Sequence, residues 1–389
     1  MATMLTDARR LSRDVRVRRA TLEALTVALT VAFVFYLVHQ ARQASSLDLG
    51  FLSDRAGFGV GDQFLTNVSG NDSRWAVYFA GIMNTIRITV FGMILAVIIG
   101  LVVGIARLSS NWLASRLALL FVEAIRNTPL LPFVVFWYTA LVLQLPHIRD
   151  SLSLFGVGYA SNRAIALPWA RPLDGAGTWA VVALGAFAVA AGVWMFLHRY
   201  EASTGQPSRP WRVSLALLAV LAGGSYVAMG MPLRWDTPQV ERFSYAGGLQ
   251  LSPEFVGLLL ALSFFNGAFV AEIVRGAIQS VPKGEREAAA ALGLSGWQQM
   301  SLVVLPQALR AMLPPLATQC QALAKYSAVA IAIAFPDLMT VGGTIINNSG
   351  EAITMFIVMM LTYLLLNLLI ALLLNGPQWR FQRGGKRRI

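Results

Sequence analysis

The feature that most limits what this chain can become is a succession of long apolar runs, divided by short charged or turn-rich pieces. The runs lie at 22–38, 82–105, 117–145, 178–197, 213–231, 255–274, 302–333 and 353–374. Most reach the roughly 20 residues that a helix needs to cross a bilayer core. In hydrocarbon every backbone N–H and C=O must be satisfied, and an α-helix does so within its own segment. The charged fraction of 13% points the same way, since soluble domains carry about 25%. The expected fold class is all-α: a polytopic membrane helix bundle with about eight transmembrane helices.

Charge then orients the bundle. The net charge is +12, but the basic residues form no surface interleaved with aromatics, so nucleic acid is not an expected partner. Assigning loops alternately puts 19 Lys and Arg on one side, in the N-terminus, 107–116, 199–212, 275–286 and the C-terminal tail. The other side, with loops 41–79, 146–177 and 232–253, holds 8. Positive charge is retained in the cytoplasm, so both termini are expected there. Six arginines precede the first run, and Ala41-x-x-Ala44 loosely resembles a processing site. The run is longer than the roughly 7–15 residues of a signal-peptide core, so an uncleaved first span is expected. Cys320 is a lone cysteine, and His39, His147 and His198 are scattered. No metal site and no catalytic residue is assigned.

Residues 275–306 break the apolar pattern. Lys283, Glu285, Arg286 and Glu287 are too costly to place in lipid, so the stretch belongs in water. Glu287 through Leu292 is built from strong helix formers, with Ser280 and Pro282 placed to start a helix and Gly293 and Gly296 to stop it. A short helix held between two spans is a shape that fits a groove on a partner. The alternative is an ordinary Ala-rich amphipathic helix lying at the membrane surface.

Glu287-Ala288-Ala289, three residues, Gly293, nine residues, Val303-x-Leu305-Pro306 is similar to the EAA loop of ABC-importer permeases. The resemblance implies a coupling helix that seats in a cleft of a cytoplasmic ATPase, through Glu287, Ala288, Ala289, Gly293, Leu305 and Pro306. FNGAFVAEIVRGAIQSVPKGEREAA and LPQALRAMLPPL around the motif resemble the polar-amino-acid permease branch of that family. NTIRITVFGMILAVIIGLVVGIARLSS and VEAIRNTPLLPFVVFWY resemble its earlier helices. The three additional spans and FLSDRAGFGV are similar to one permease subunit of general L-amino-acid transporters. The implied architecture is a five-helix ABC type I importer core, with the first, fourth and fifth spans added. The segments are a basic N-terminus, first span and periplasmic loop (1–80), core helices (81–146), a loop-bounded pair of additional spans (147–252), core helices with the EAA loop (253–376) and a basic tail (377–389).

The same resemblance implies the partners: a homologous permease subunit, an ATP-binding cassette ATPase dimer, a periplasmic amino-acid-binding protein and membrane lipid. ATP and Mg would sit on the ATPase, with no cofactor on this chain. The chain has no GxxxxGK[ST], because Arg387 follows Gly385-Lys386 and Arg380 stands at the first Gly position. The implied activity is import of L-amino acids, polar or broad in range, across the bacterial inner membrane by ATP-coupled alternating access. At Lys325-Tyr326-Ser327-Ala328 the chain departs from the family's Lys-(Asn/Asp)-(Ser/Thr)-Ser.

Other residues bear on the route. Gln307, Arg310, Pro314, Thr318, Gln321 and Lys325 recur at steps of three and four, as one polar stripe opposite leucines. Such stripes face a cavity or a partner, so Gln307, Arg310, Thr318, Gln321, Lys325 and Ser327 are candidate pathway residues. Pro314-Pro315 is expected to break the helix, and Arg310 also reads as an interfacial anchor. Ala96-x-x-x-Gly100-x-x-x-Gly104 is a small-residue ridge for helix packing. Arg87 reads as a snorkelling side chain, with a substrate or partner contact as the sharper alternative. Glu123 and Arg126 are spaced to pair, and Asn127-Thr128-Pro129 should kink or end a helix, either inside a broken span or at the surface.

Three rivals remain open. A secondary amino-acid transporter driven by an ion gradient needs acidic residues deep in spans, and only Glu123 and Glu272 qualify. A membrane enzyme needs a nucleophile–base pair or metal cluster, and none is visible in the sequence. A structural assembly subunit would have no route of its own.

Overall fold

A computed structural model describes residues 48–206 and 208–385, together with isolated positions 25, 28, 29, 32 and 36. The first expected span, 22–38, and the basic N-terminus therefore lie outside the described residues. Among the described residues six helices are long and apolar enough to cross a membrane, or seven if one bent pair is a single span. All seven coincide with the apolar runs after the first.

α1 is Arg74–Ala106, capped by Ser73, whose hydroxyl accepts the Ala76 N–H. α2 (Trp112–Arg126) and α3 (Leu130–Phe136, continued by a π segment Trp137–Val142) meet at an angle of 109°. The break falls on the Asn-Thr-Pro step, where the residue before proline is pushed out of the helical region. Neither half is long enough to cross alone, so the pair is either one broken span or a re-entrant segment. Glu123 and Arg126 do not pair as their spacing suggests: Glu123 accepts from the Asn127 amide, and Arg126 lies over the Phe269 ring at 5.4 Å.

α4 (Ala176–Thr204), α5 (Pro210–Leu218) and α6 (Gly224–Ala228) form the two additional spans, with a π turn at Ala219–Gly223 joining the last two. Short strands flank them. β1 (Leu152–Leu154), β2 (Gly158–Ala160) and β3 (Ile165–Leu167) build an antiparallel sheet that β8 (Leu249–Leu251) completes. β4 (Trp169–Pro172) pairs with β5 (Leu233–Asp236), and β6 (Gln239–Val240) with β7 (Tyr245–Ala246). These strands were not anticipated, because three-residue strands in polar loops leave no usable periodicity.

α7 (Pro253–Gln279), α8 (Lys283–Ala291), the single turn α9 (Gly296–Gln298), α10 (Leu305–Tyr326), α11 (Leu338–Ser349) and α12 (Ala352–Gly385) complete the chain. Contacts divide the molecule into two units, Val135–Gly257 and the remainder.

In the larger unit the small-residue ridge receives α7. A Cβ on Gly100 would overlap Val270 and come within 3.0 Å of the Ala271 amide, and one on Gly104 would lie 2.8 Å from the Ala271 carbonyl. Between helices in lipid there is no hydrophobic drive, so close backbone approach and polar ties hold the pair. The main polar tie is at one end: Glu272 of α7 bonds Arg107, just past α1, and Arg275. A second cluster joins the loop after the first run to the bundle. Leu52, Ala56 and Val60 are buried with Val77, Tyr78, Leu338, Val341, Ile345, Met355 and Met359.

Candidate coupling and pathway surface

The charged stretch forms the expected short helix, but Ser280 does not start it and Gly296 opens the next turn in place of stopping it. α8 begins at Pro282 without a side-chain cap, and the Ser280 hydroxyl turns back to the Ala277 carbonyl at 2.8 Å. Pro282 alone opens the helix. Its end is held by a full C-terminal motif. The Gly293 N–H reaches the Ala290 carbonyl at 2.9 Å, and the Leu294 N–H reaches Ala289 at 3.2 Å. That geometry needs a left-handed residue, and Gly293 has φ +77°. Ser295 then starts α9 with a reciprocal cap to Gln298.

The resulting helix has two faces. Glu287 and Ala288 are exposed, while Ala289 is 3% exposed and turned into the chain. The two alanines of the motif therefore do different work: one stays available to a partner, the other lets α8 lie close to its own bundle. Leu292 and Trp297, 80% and 78% exposed, extend the free face with apolar surface. The spacing of the motif gives no hint of these two. Leu305 and Pro306 open α10 and are exposed, and Val304 beneath them is buried.

Behind α8 the packing is continuous. Val270, Val274, Ala277, Ile278 and Val281 form one cluster with Val304, Ala308 and Met312 of the next span. Two polar ties fix α8 to its neighbours: Arg286 donates to the Ile278 carbonyl at 3.1 Å, and Gln307 donates to Glu285 at 3.0 Å. A π segment, Gln299–Val304, lies between the two helices.

Gln307 is also the first residue of the polar stripe, so the stripe and α8 are hydrogen-bonded. Pro314-Pro315 does not break α10, contrary to expectation; the helix runs through from Leu305 to Tyr326. The phase of the stripe is thereby kept. Prolines at 314 and 315 leave the Arg310 and Ala311 carbonyls without their helical donors. Arg310, Thr318 and Lys325 are exposed on the isolated chain, and Gln307 and Gln321 are half-buried. The buried side of the helix is a different set: Ala308, Met312, Ala317, Leu323 and Ala324.

Ser327 does not join the stripe. It is fully buried, with its hydroxyl 3.0 Å from the Ala324 carbonyl and 3.4 Å from Asp337. Asp337, which the sequence reading passed over, caps α11 by accepting the Thr340 N–H at 2.8 Å. It lies between two spans and is fully buried, and the loss of water pushes its carboxyl up to about 6. Arg87 is not a snorkelling side chain. It is 6% exposed, pairs with Asp62 at 2.7 Å and lies over the Phe64 ring. A charge near a helix end reads the same in sequence whether it reaches water or a folded-back loop.

The described residues contain no group of three or more His, Cys, Asp or Glu placed to hold a metal. Residues 92–375 match a family model described as the binding-protein-dependent transport system inner membrane component. The general L-amino acid transport system permease protein AapQ of Rhizobium johnstonii is 41% identical over 370 residues, covering 93% of this chain and 92% of that one. The putative amino-acid ABC transporter permease protein YhdX of Escherichia coli is 35% identical, with 92% and 93% covered. The glutamate/glutamine/aspartate/asparagine transport system permease protein BztB of Rhodobacter capsulatus is 34% identical, with 93% of each covered.

Proposed function

The chain belongs to the family of binding-protein-dependent transport system inner membrane components, and from that membership we propose that it carries L-amino acids into the cytoplasm. Full-length similarity to a general L-amino acid permease supports that cargo. It works as one of two homologous permease subunits, with an ATP-binding cassette ATPase dimer on the cytoplasmic side and an amino-acid-binding protein on the other. ATP and Mg stay on the ATPase, and this chain performs no covalent step.

One observation carries the reading: α8 presents Glu287 outward while its other face is tied to the pathway helix. A force applied to α8 passes through Glu285–Gln307 and the cluster around Val274 and Val304 into α10. Closure of the ATPases rocks these helices. The polar stripe, with the two carbonyls freed by Pro314 and Pro315, then borders the route that opens inward. Glu287, Ala288, Gly293, Leu305 and Pro306 form the coupling contact, with Ala289 setting the seat of the helix. Gln307, Arg310, Thr318, Gln321 and Lys325 border the route, and Ser327 supports it from within.

Uptake of labelled amino acids by vesicles holding the assembled transporter tests this. Uptake should require ATP and survive collapse of ion gradients. Glu287→Lys or Gly293→Pro should abolish it while leaving the protein in the membrane; normal uptake in both would be incompatible with the coupling role. Survival without ATP on an imposed ion gradient would favour the gradient-driven carrier. Of the two carboxylates that the sequence offered such a carrier, Glu272 pairs with Arg107 and Arg275, and Glu123 is exposed and accepts from Asn127.

A further inference from the structure

Two arginines of the β4–β5 ribbon face one another. The register pairs Arg171 with Arg234, so both side chains leave the same face of the ribbon, with Cβ atoms about 4.5–5.5 Å apart. Like charges placed directly opposite destabilise a ladder. Both are exposed, and neither forms an ion pair among the described residues. Asp236, two positions along the ribbon and paired with Trp169, accepts the Gly248 N–H at 3.2 Å. The arginines border a cavity of about 480 Å³ with Leu173, Asp174 and Pro232.

The place of this cavity identifies its occupant. Only residues 173–175 separate β4 from α4, and only 229–232 separate α6 from β5. The pair therefore stands where two spans leave the hydrocarbon, at headgroup depth. Beside it Trp169, Leu173 and Met231 are exposed by 57%, 46% and 55%, and on the other face of the ribbon Trp235 is exposed by 68%. Tryptophan beside apolar side chains at a span end is the composition of a membrane interface.

We propose that Arg171 and Arg234 hold the phosphate of a membrane phospholipid whose headgroup carries an ammonium, with that ammonium beside Asp174. Two guanidinium forks match the acceptor oxygens of a phosphate, and its charge removes the repulsion across the ladder. Asp174, lining the same cavity, favours an ammonium headgroup over one of net negative charge. The inference needs only that α4 and α5–α6 cross the membrane; it does not depend on the cargo or on the ATPase.

Native mass spectrometry of the purified full chain tests it, with phosphatidylethanolamine, phosphatidylglycerol and soluble phosphoethanolamine as probes. One phosphatidylethanolamine per chain should be retained in preference to phosphatidylglycerol. Arg171→Gln/Arg234→Gln should weaken retention at least tenfold, each single variant should lie between, and Arg149→Gln/Arg242→Gln should leave it unchanged. Thermal melting separates binding from folding. Without lipid the double variant should melt no lower than wild type, since repulsion has been removed, and only the lipid-dependent rise should disappear. Four results would overturn the proposal: equal retention by the double variant, no preference between the two lipids, displacement by soluble phosphoethanolamine, or dependence of binding-protein capture, instead of lipid, on the pair.

Discussion

Asp337 shows how one side chain can be invisible in sequence and decisive in structure. An isolated Asp between two apolar runs looks like any loop residue. Here it is fully buried, and its carboxyl is pushed up to about 6 against a usual 3.8. The folded state therefore holds the proton more tightly than the unfolded state, so stability falls as pH rises from about 4 to about 6. Asp337→Asn keeps a cap, since Asn serves that position equally well, and removes the buried charge. The variant should lose this pH slope and be more stable than wild type at pH 7 by roughly 1–3 kcal/mol, read as melting temperature across pH 4–7 in detergent. Gly293 is the opposite case. Its role at a helix end is legible from its place after Glu287–Leu292, and φ +77° is the conformation that place demands.

Among elements, α1 and α7 illustrate what a spacing rule can and cannot supply. Ala96, Gly100 and Gly104 announce a ridge, but the sequence does not name the helix that uses it. Gly100→Leu should separate α1 from α7, because its side chain has no space beside Val270 and the Ala271 amide. A loss of about 1–3 kcal/mol is expected, seen as a lower melting temperature with the chain still inserted. The α8–α10 link is a second such junction. Gln307→Leu removes the donor to Glu285 and leaves the apolar cluster beneath intact. In the assembled transporter the expected result is continued ATP hydrolysis with amino-acid uptake reduced several-fold; unchanged uptake per ATP would show that the cluster alone transmits the motion.

For the molecule as a whole the question is what the polar stripe faces. It looks away from the buried side of α10, and among the described residues Arg310, Thr318 and Lys325 are left exposed while Gln307 and Gln321 are half-buried. A homologous subunit enclosing the stripe would leave a water-filled route between the two chains. In a Cys320→Ser background, cysteines at Thr318 and Gln321 should react with a polar thiol reagent, and those at Leu309 and Leu313 should not. Labelling of the leucines alone would place lipid or protein where the route is proposed.

Long apolar runs, and the helix formers of Glu287–Leu292 closed by Gly293, determined the helical membrane class, six or seven candidate spans among the described residues and the short helix α8. Each is a local property, written within 20 to 30 consecutive residues by the demands of lipid and of a helix end. The tertiary structure decided what distant residues do to one another. It buried Arg87 against Asp62, tied Arg107 to Glu272, carried a helix through Pro314-Pro315, and withdrew Ser327 from the stripe to Asp337. It also set Arg171 against Arg234 across a short ribbon. Periodicity shows which face of a segment is polar; which polar groups meet depends on register and packing between segments that sequence spacing does not encode.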